Sequence, residues 1–217
     1  MKERKRKSEG PELTAEQLRV LALKAHANAV ELVDEAALLF EHGHFARCVF
    51  LTQIAGEELG KCHLTMTSIP KLLLGKMNWP KFWQRFRSHK EKATGVHFLE
   101  NFLSEHEVDS WEKMTHTVST LETGKMLSLY SEQMQEGAVA PSDWVEEELA
   151  TNSLSWARGR LSLFAARVVP MLDKGFIDKF TAGDMRKHLE DFVEAVGAKE
   201  GALSKKLFDL MTDDMAM

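Results

Sequence analysis

Helical period without a proline runs through Phe45-Ala-Arg-Cys-Val-Phe-Leu-Thr-Gln-Ile-Ala-Gly-Glu-Glu-Leu-Gly-Lys61, and no other stretch constrains the fold as much. Phe45, Cys48, Leu51, Ile54, Ala55 and Leu59 form its apolar face. Arg47, Leu51, Ile54, Glu58 and Lys61 also fall close in azimuth, because the step from Arg47 to Glu58 is about three turns of ~3.6 residues. A carboxylate set among aliphatic side chains must find a partner or keep its proton, since burying it unpaired costs several kcal/mol. Gly56 and Gly60, one turn apart, remove side-chain bulk and let a neighbouring helix come close. The stretch therefore reads as one wall of a polar pocket between helices.

The chain has 217 residues, 44% hydrophobic and 28% charged, which is enough to bury a sizeable core. No run of about 18 apolar residues exists, so no transmembrane helix and no membrane partner are expected. Met1 to Gly10 is basic but no apolar segment follows it, unlike a signal peptide. Both readings place the chain in the cytoplasm. The net charge of −5 argues against a generally basic surface that coats nucleic acid. Cys48 and Cys62 share the helix and stand roughly 21 Å apart along its axis, beyond the ~7 Å Cα limit of a disulfide. They read as reduced packing residues.

Lys2-Glu-Arg-Lys-Arg-Lys7 lies in an expected disordered basic tail, residues 1–12, that keeps the chain soluble. Thr14-Ala-Glu-Gln17 has capping-box spacing and starts a helix striped by Leu18, Leu21, Ala25, Ala29, Leu32, Ala36 and Leu39. Gly43 suits its left-handed cap. The Phe45 helix runs to about Ser68, where Pro70 stops it. Trp79-Pro80 opens a third helix, on which Phe82, Phe86, Ala93 and Val96 keep helical spacing and Phe98, Phe102 and Leu103 continue the pattern. Arg85, His89 and Lys92 then share one side of it.

A fourth helix covers roughly Val108 to Gln135, with Trp111, Met114, Val118, Leu121, Met126 and Leu129 on its buried side. Ser142 caps a fifth, which buries Leu149, Leu154, Trp156, Leu161, Phe164 and Val168. Two amphipathic stretches after Gly175, about Ala182 to Val196 and Gly201 to Met211, read as a helical hairpin in a C-terminal extension, residues 174–217. No stretch alternates with period two over a useful length, so no sheet is expected. The fold class is all-α: an up-and-down bundle over residues 13–173 with a C-terminal helical extension.

Three blocks, in order, resemble a known family: Gly43-His-Phe-Ala-Arg-Cys-Val-Phe through Gly-Glu-Glu-Leu-Gly-Lys61, Phe82-Trp-Gln-Arg-Phe-Arg-Ser-His-Lys-Glu-Lys92, and Gly124-Lys-Met-Leu-Ser-Leu-Tyr through Pro141. Over about residues 15–172 the chain is similar to the AbiV-type abortive infection proteins. The resemblance implies a HEPN-superfamily bundle, a homodimer, and a role in bacterial phage defence, where infected cells stop growing before phage mature. Many HEPN proteins are metal-independent ribonucleases that carry an Arg-x(4–6)-His motif at the dimer interface. Here only three residues separate Arg85 from His89, so the resemblance carries the fold and the defence role further than it carries the nuclease.

The candidate catalytic set is Glu58, Arg85, His89 and Lys92, with Arg47, Glu57 and Lys61 as substrate-binding candidates. Glu57 and Lys61, at i,i+4, read first as a solvated pair. Glu58, interleaved with Leu51 and Ile54, is the expected buried acid, answered across the bundle by His89 or Lys92. Such a network serves packing as readily as catalysis. As catalysis it would cleave RNA by attack of a 2′-hydroxyl: His89 moves the proton, Arg85 or Lys92 stabilises charge on the phosphate, and Glu58 orients His89 or a lysine. No metal or other cofactor is expected; His42 and His44 flank a turn glycine with no acidic or cysteine ligand in spacing. The rival function is a non-enzymatic module that blocks translation or phage maturation by binding a phage or host protein. A helical adaptor with no defence role is a third.

Overall fold

The computed structural model of the chain describes residues 9–93, 96, 123–134, 137–178 and 187. Thr14 opens the first helix, α1 (Ala15–Glu41), with a complete capping box: its hydroxyl accepts from the Gln17 amide at 3.2 Å, and the Gln17 side chain accepts from the Thr14 amide at 2.8 Å. Replacing Thr14 by alanine should lower stability by about 1 kcal/mol, readable as a drop in the urea midpoint at unchanged m-value. Gly43, at φ 74, reverses the chain; its N–H bonds to the Phe40 carbonyl at 3.0 Å and that of His44 to Leu39 at 2.8 Å.

The returning helix, α2 (Phe45–Leu73), does not stop at Ser68. Pro70 sits inside its last turn, where one missing N–H is the main loss. The end is set instead at Gly75, φ 69, whose N–H reaches Leu72 at 3.0 Å while that of Lys76 reaches Lys71 at 2.8 Å.

The expected third helix is two. Asn78 caps α3 (Trp79–Phe86), and the chain then turns at Arg87 and Ser88. Ser88 starts α4, whose described part is residues 89–93: its hydroxyl accepts from the Glu91 amide at 3.4 Å and its carbonyl from that of Lys92 at 3.2 Å. A serine competing for the backbone at this point outweighs the helical spacing of the phenylalanines. Trp83 donates to the Pro11 carbonyl at 2.9 Å and Arg87 to that of Glu9 at 2.5 Å, so the expected tail is held against α3 from Glu9 onward.

The fourth helix does not reach Gln135. Its described part, α5 (residues 123–127), turns at Ser128 into β1 (Glu132–Met134), which pairs antiparallel with β2 (Gly137–Val139), Glu132 opposite Val139. Strands this short leave no period-two pattern long enough to read, so the expectation of no strand fails here. The ribbon does not change the class, which is all-α. Ser142 does not cap the fifth helix. Pro141 begins one separate turn, α6 (Pro141–Trp144), in which Asp143 accepts from the Ala140 amide at 2.7 Å. Buried, extended Val145 ends that turn, and the long helix α7 (Glu147–Arg167) starts from Glu146. A 3₁₀ turn (Val169–Leu172) and α8 (Lys174–Asp178) follow.

The core lies among α1, α2 and α7, which pack pairwise. α1 contributes Leu18, Ala22, Ala25, Ala29, Val33 and Ala36; α2 contributes Cys48, Val49, Ala55, Leu59, Cys62 and Ile69; α7 contributes Ala150, Leu154, Ala157 and Phe164. Alanines on the facing side of α1 let the axes approach closely. Both cysteines are free and buried. Leu149 and Trp156, expected inside, are 48% and 36% exposed, because Ala150 and Ala157 turn the buried side of α7 by one position. Among the described residues no helix is long and apolar enough to cross a membrane. The tail residues Lys2 to Lys7, residues 97–122 of the expected third and fourth helices, and the hairpin over 182–196 and 201–211 lie outside the described residues, Lys187 excepted.

Candidate functional site

With α1 and α7 covering its other sides, α2 turns Glu57 and Gly60 towards α4. A Cβ on Gly60 would lie 2.3 Å from the Lys92 carbonyl oxygen, so only a glycine allows α4 to sit this close. That approach places three nitrogen donors on one buried carboxylate. Glu57 Oε1 accepts from Lys125 Nζ at 2.6 Å, and Oε2 accepts from His89 Nδ1 at 2.5 Å and Lys92 Nζ at 3.0 Å. Glu57 is 8% exposed and Lys92 5%, while the His89 side chain is 61% exposed.

Burial alone would raise the Glu57 carboxyl, but the Lys125 hydrogen bond, the Lys92 charge, and the bonds from His89 and Lys92 outweigh it and hold the group at about 2. Glu57 is therefore ionised and only accepts hydrogen bonds. The proton of the His89 contact must then sit on Nδ1, which leaves Nε2 as the nitrogen that neutral His89 offers as a base. Two ammonium groups face one carboxylate, so the cluster keeps one excess positive charge next to an exposed imidazole. An anion is drawn towards His89 by that excess.

The expected acid, Glu58, is not the one that answers His89 or Lys92. It pairs with Lys61 on its own helix. The stripe that singled it out is off by one position: Leu51 and Ile54 are only half-buried, whereas Ala55, Leu59 and Cys62 mark the core. Glu57, read as a solvated partner of Lys61, is the buried group. Lys61 also lies 5.6 Å from the Phe86 ring centroid. Arg85 does not share a side with His89 and Lys92, because the break at Ser88 puts it on a different helix; its Nε lies 3.3 Å from Glu91 Oε2. Arg47 is exposed at the start of α2, about 15 Å along the axis from Glu57, and is not brought to the cluster.

Lys125 was missed by the spacing argument, although it belongs to the Gly124–Pro141 block. Its distance in sequence from Glu57 leaves no periodic signal. His63 is half-buried on α2, and burial, with the Arg85 guanidinium adding to it, pushes its imidazole down to about 4, so it is uncharged near neutral pH. Among the described residues no three His, Cys, Asp or Glu side chains stand where they would hold a metal.

The AbiV family model (HEPN_AbiV) matches residues 17–162, from α1 through most of α7 and including every member of the Glu57 cluster. Neither a curated protein nor a solved structure matches the chain. The match spans more than half of the sequence and the fold beneath it is helical throughout its core; the chain belongs to the AbiV family of HEPN proteins.

Proposed function

We propose that this chain is a toxic effector of phage defence, an abortive-infection protein that acts on RNA in the cytoplasm as a homodimer. Membership of the AbiV family supports the defence role. The observation that carries the chemistry is the contact between buried Glu57 and exposed His89, which fixes one tautomer and points the other ring nitrogen outward. His89 Nε2 takes the proton of a ribose 2′-hydroxyl; the oxygen attacks the adjacent phosphorus, and the bond to the 5′-oxygen breaks. The products are a 2′,3′-cyclic phosphate and a 5′-hydroxyl, the imidazolium returning its proton to the leaving oxygen.

Glu57 is a positioning residue in this scheme, taking the role first read for Glu58. Lys92 and Lys125 hold Glu57 and supply the positive field, too buried to grip a substrate themselves. Arg85, half-buried beside α4, is the residue placed to meet a phosphate. The test is incubation of the purified chain with total RNA. Wild type should produce cyclic-phosphate ends, and His89→Ala should reduce the rate by about 10²–10⁴. Absence of cleavage by wild type, with growth arrest retained in His89→Ala cells, sinks the nuclease. That outcome would favour a protein-binding effector, a reading that the exposed Leu149 and Trp156 on one side of α7 support.

A further inference from the structure

A second cationic feature lies between the end of α2 and the start of α3. A cleft there is lined by Lys71, Lys76, Lys81 and Arg85, with Asn78 at its rim and, among the described residues, no carboxylate in its wall. Its volume is 30 Å³, where one water needs about 10–15 Å³ by the same measure. That admits the oxygens of a tetrahedral anion and excludes a nucleobase. The first turn of α3 is not what would bind it: Pro80 has no N–H, and the Lys81 amide already donates to Asn78 Oδ1 at 3.0 Å. The recognising groups are the side chains, and Lys71 and Lys81 are each restrained by a further interaction within the fold.

Arg85 connects this cleft with the Glu57 cluster. It lines the cleft, and its Nε reaches Glu91 on α4, the helix that carries His89. One engaged N–H leaves the remaining donors of the guanidinium fork to the cleft side. We propose that the cleft is a phosphate subsite for single-stranded RNA, seating a backbone phosphate next to the one at His89 without reading sequence. The proposal rests on the RNA-directed reading above and names where the strand is held.

Binding is measured by fluorescence anisotropy of a labelled single-stranded RNA on the full chain carrying His89→Ala, so that nothing is cut. Adding Lys76→Gln and Lys81→Gln should weaken binding at least tenfold at low salt. It should also reduce the slope of log affinity against log salt by about 1.4, two contacts at ~0.7 each. Inorganic phosphate should compete with RNA in the parent and lose that effect in the double variant. Equal RNA affinity in a double variant with unchanged melting temperature overturns the subsite. So does phosphate binding without any RNA binding, which would make it a small-anion site. The two readings fail separately. RNA cleavage lost in His89→Ala with no effect of the lysine pair removes the subsite alone; lysine-dependent RNA binding by a wild type that cuts nothing removes the nuclease alone.

Discussion

Replacing Glu57 by glutamine lowers the unfolding free energy by about 3–5 kcal/mol, the cost of leaving a buried charge without its counter-ion. Lys92 and Lys125 both lose the carboxylate that faces them, and neither reaches bulk water easily, with side chains 5% and 12% exposed. Glu58→Gln is the matched control: it breaks a pair within one helix and should stay within about 1 kcal/mol of wild type. Pairing Glu57→Gln with Lys125→Met tests the origin of the loss, because removing both partners should recover part of it. Equal stability of the Glu57 and Glu58 variants would mean that the buried cluster does not form.

The same carboxylate sets an acid limit. Its ordinary value is 4.5, and it is held at about 2 in the folded chain. A depressed carboxyl contributes its full stabilisation above the unfolded value and loses it as the pH falls towards the folded one. Here that window runs from about 4.5 down to about 2, and the stabilisation is on the order of 3 kcal/mol, at ~1.4 kcal/mol per pH unit. Urea unfolding of wild type and Glu57→Gln across that window should show the gap between them closing as the pH falls. A gap that stays constant would count against an ionised Glu57.

Gly60→Ala should cost about 2–3 kcal/mol although alanine is the better helix former. The added methyl group would lie 2.3 Å from the Lys92 oxygen and 2.9 Å from its Cα, backbone atoms that move only with α4. Moving α4 also draws Lys92 and His89 off Glu57, so His89-dependent cleavage should fall with stability. Gly56→Ala is the comparison. Its methyl meets only the tip of Arg160 at 3.0 Å, and helix propensity offsets the contact. Thermal melts of both variants decide the matter. A Gly60→Ala protein as stable as Gly56→Ala would show that the close approach of α4 is not needed.

Local features were legible where the physics is local. The Thr14–Gln17 capping box, the Gly43 reversal and the alanine side of α1 depend on residues within a turn or two of each other. The break at Ser88 and the ribbon after Ser128 are harder to see. Helical spacing of apolar residues says nothing about a serine that takes backbone amides for itself, or about strands of three residues. Of the site, His89, Lys92 and the room at Gly60 were within reach, but the acid was displaced by one position and Lys125 was absent.

The amino-acid order by itself determined a helical bundle, where α1 begins, which residue types could make a charged pocket, and the family whose blocks the chain carries. Only the packing of α2 against three neighbours decided that Glu57 is buried and Glu58 is not. An azimuth on a single helix ranks residues around its axis, but the burial of each depends on what lies opposite. Lys125 reaches Glu57 from a helix far along the chain, and that contact exists only once the bundle has closed.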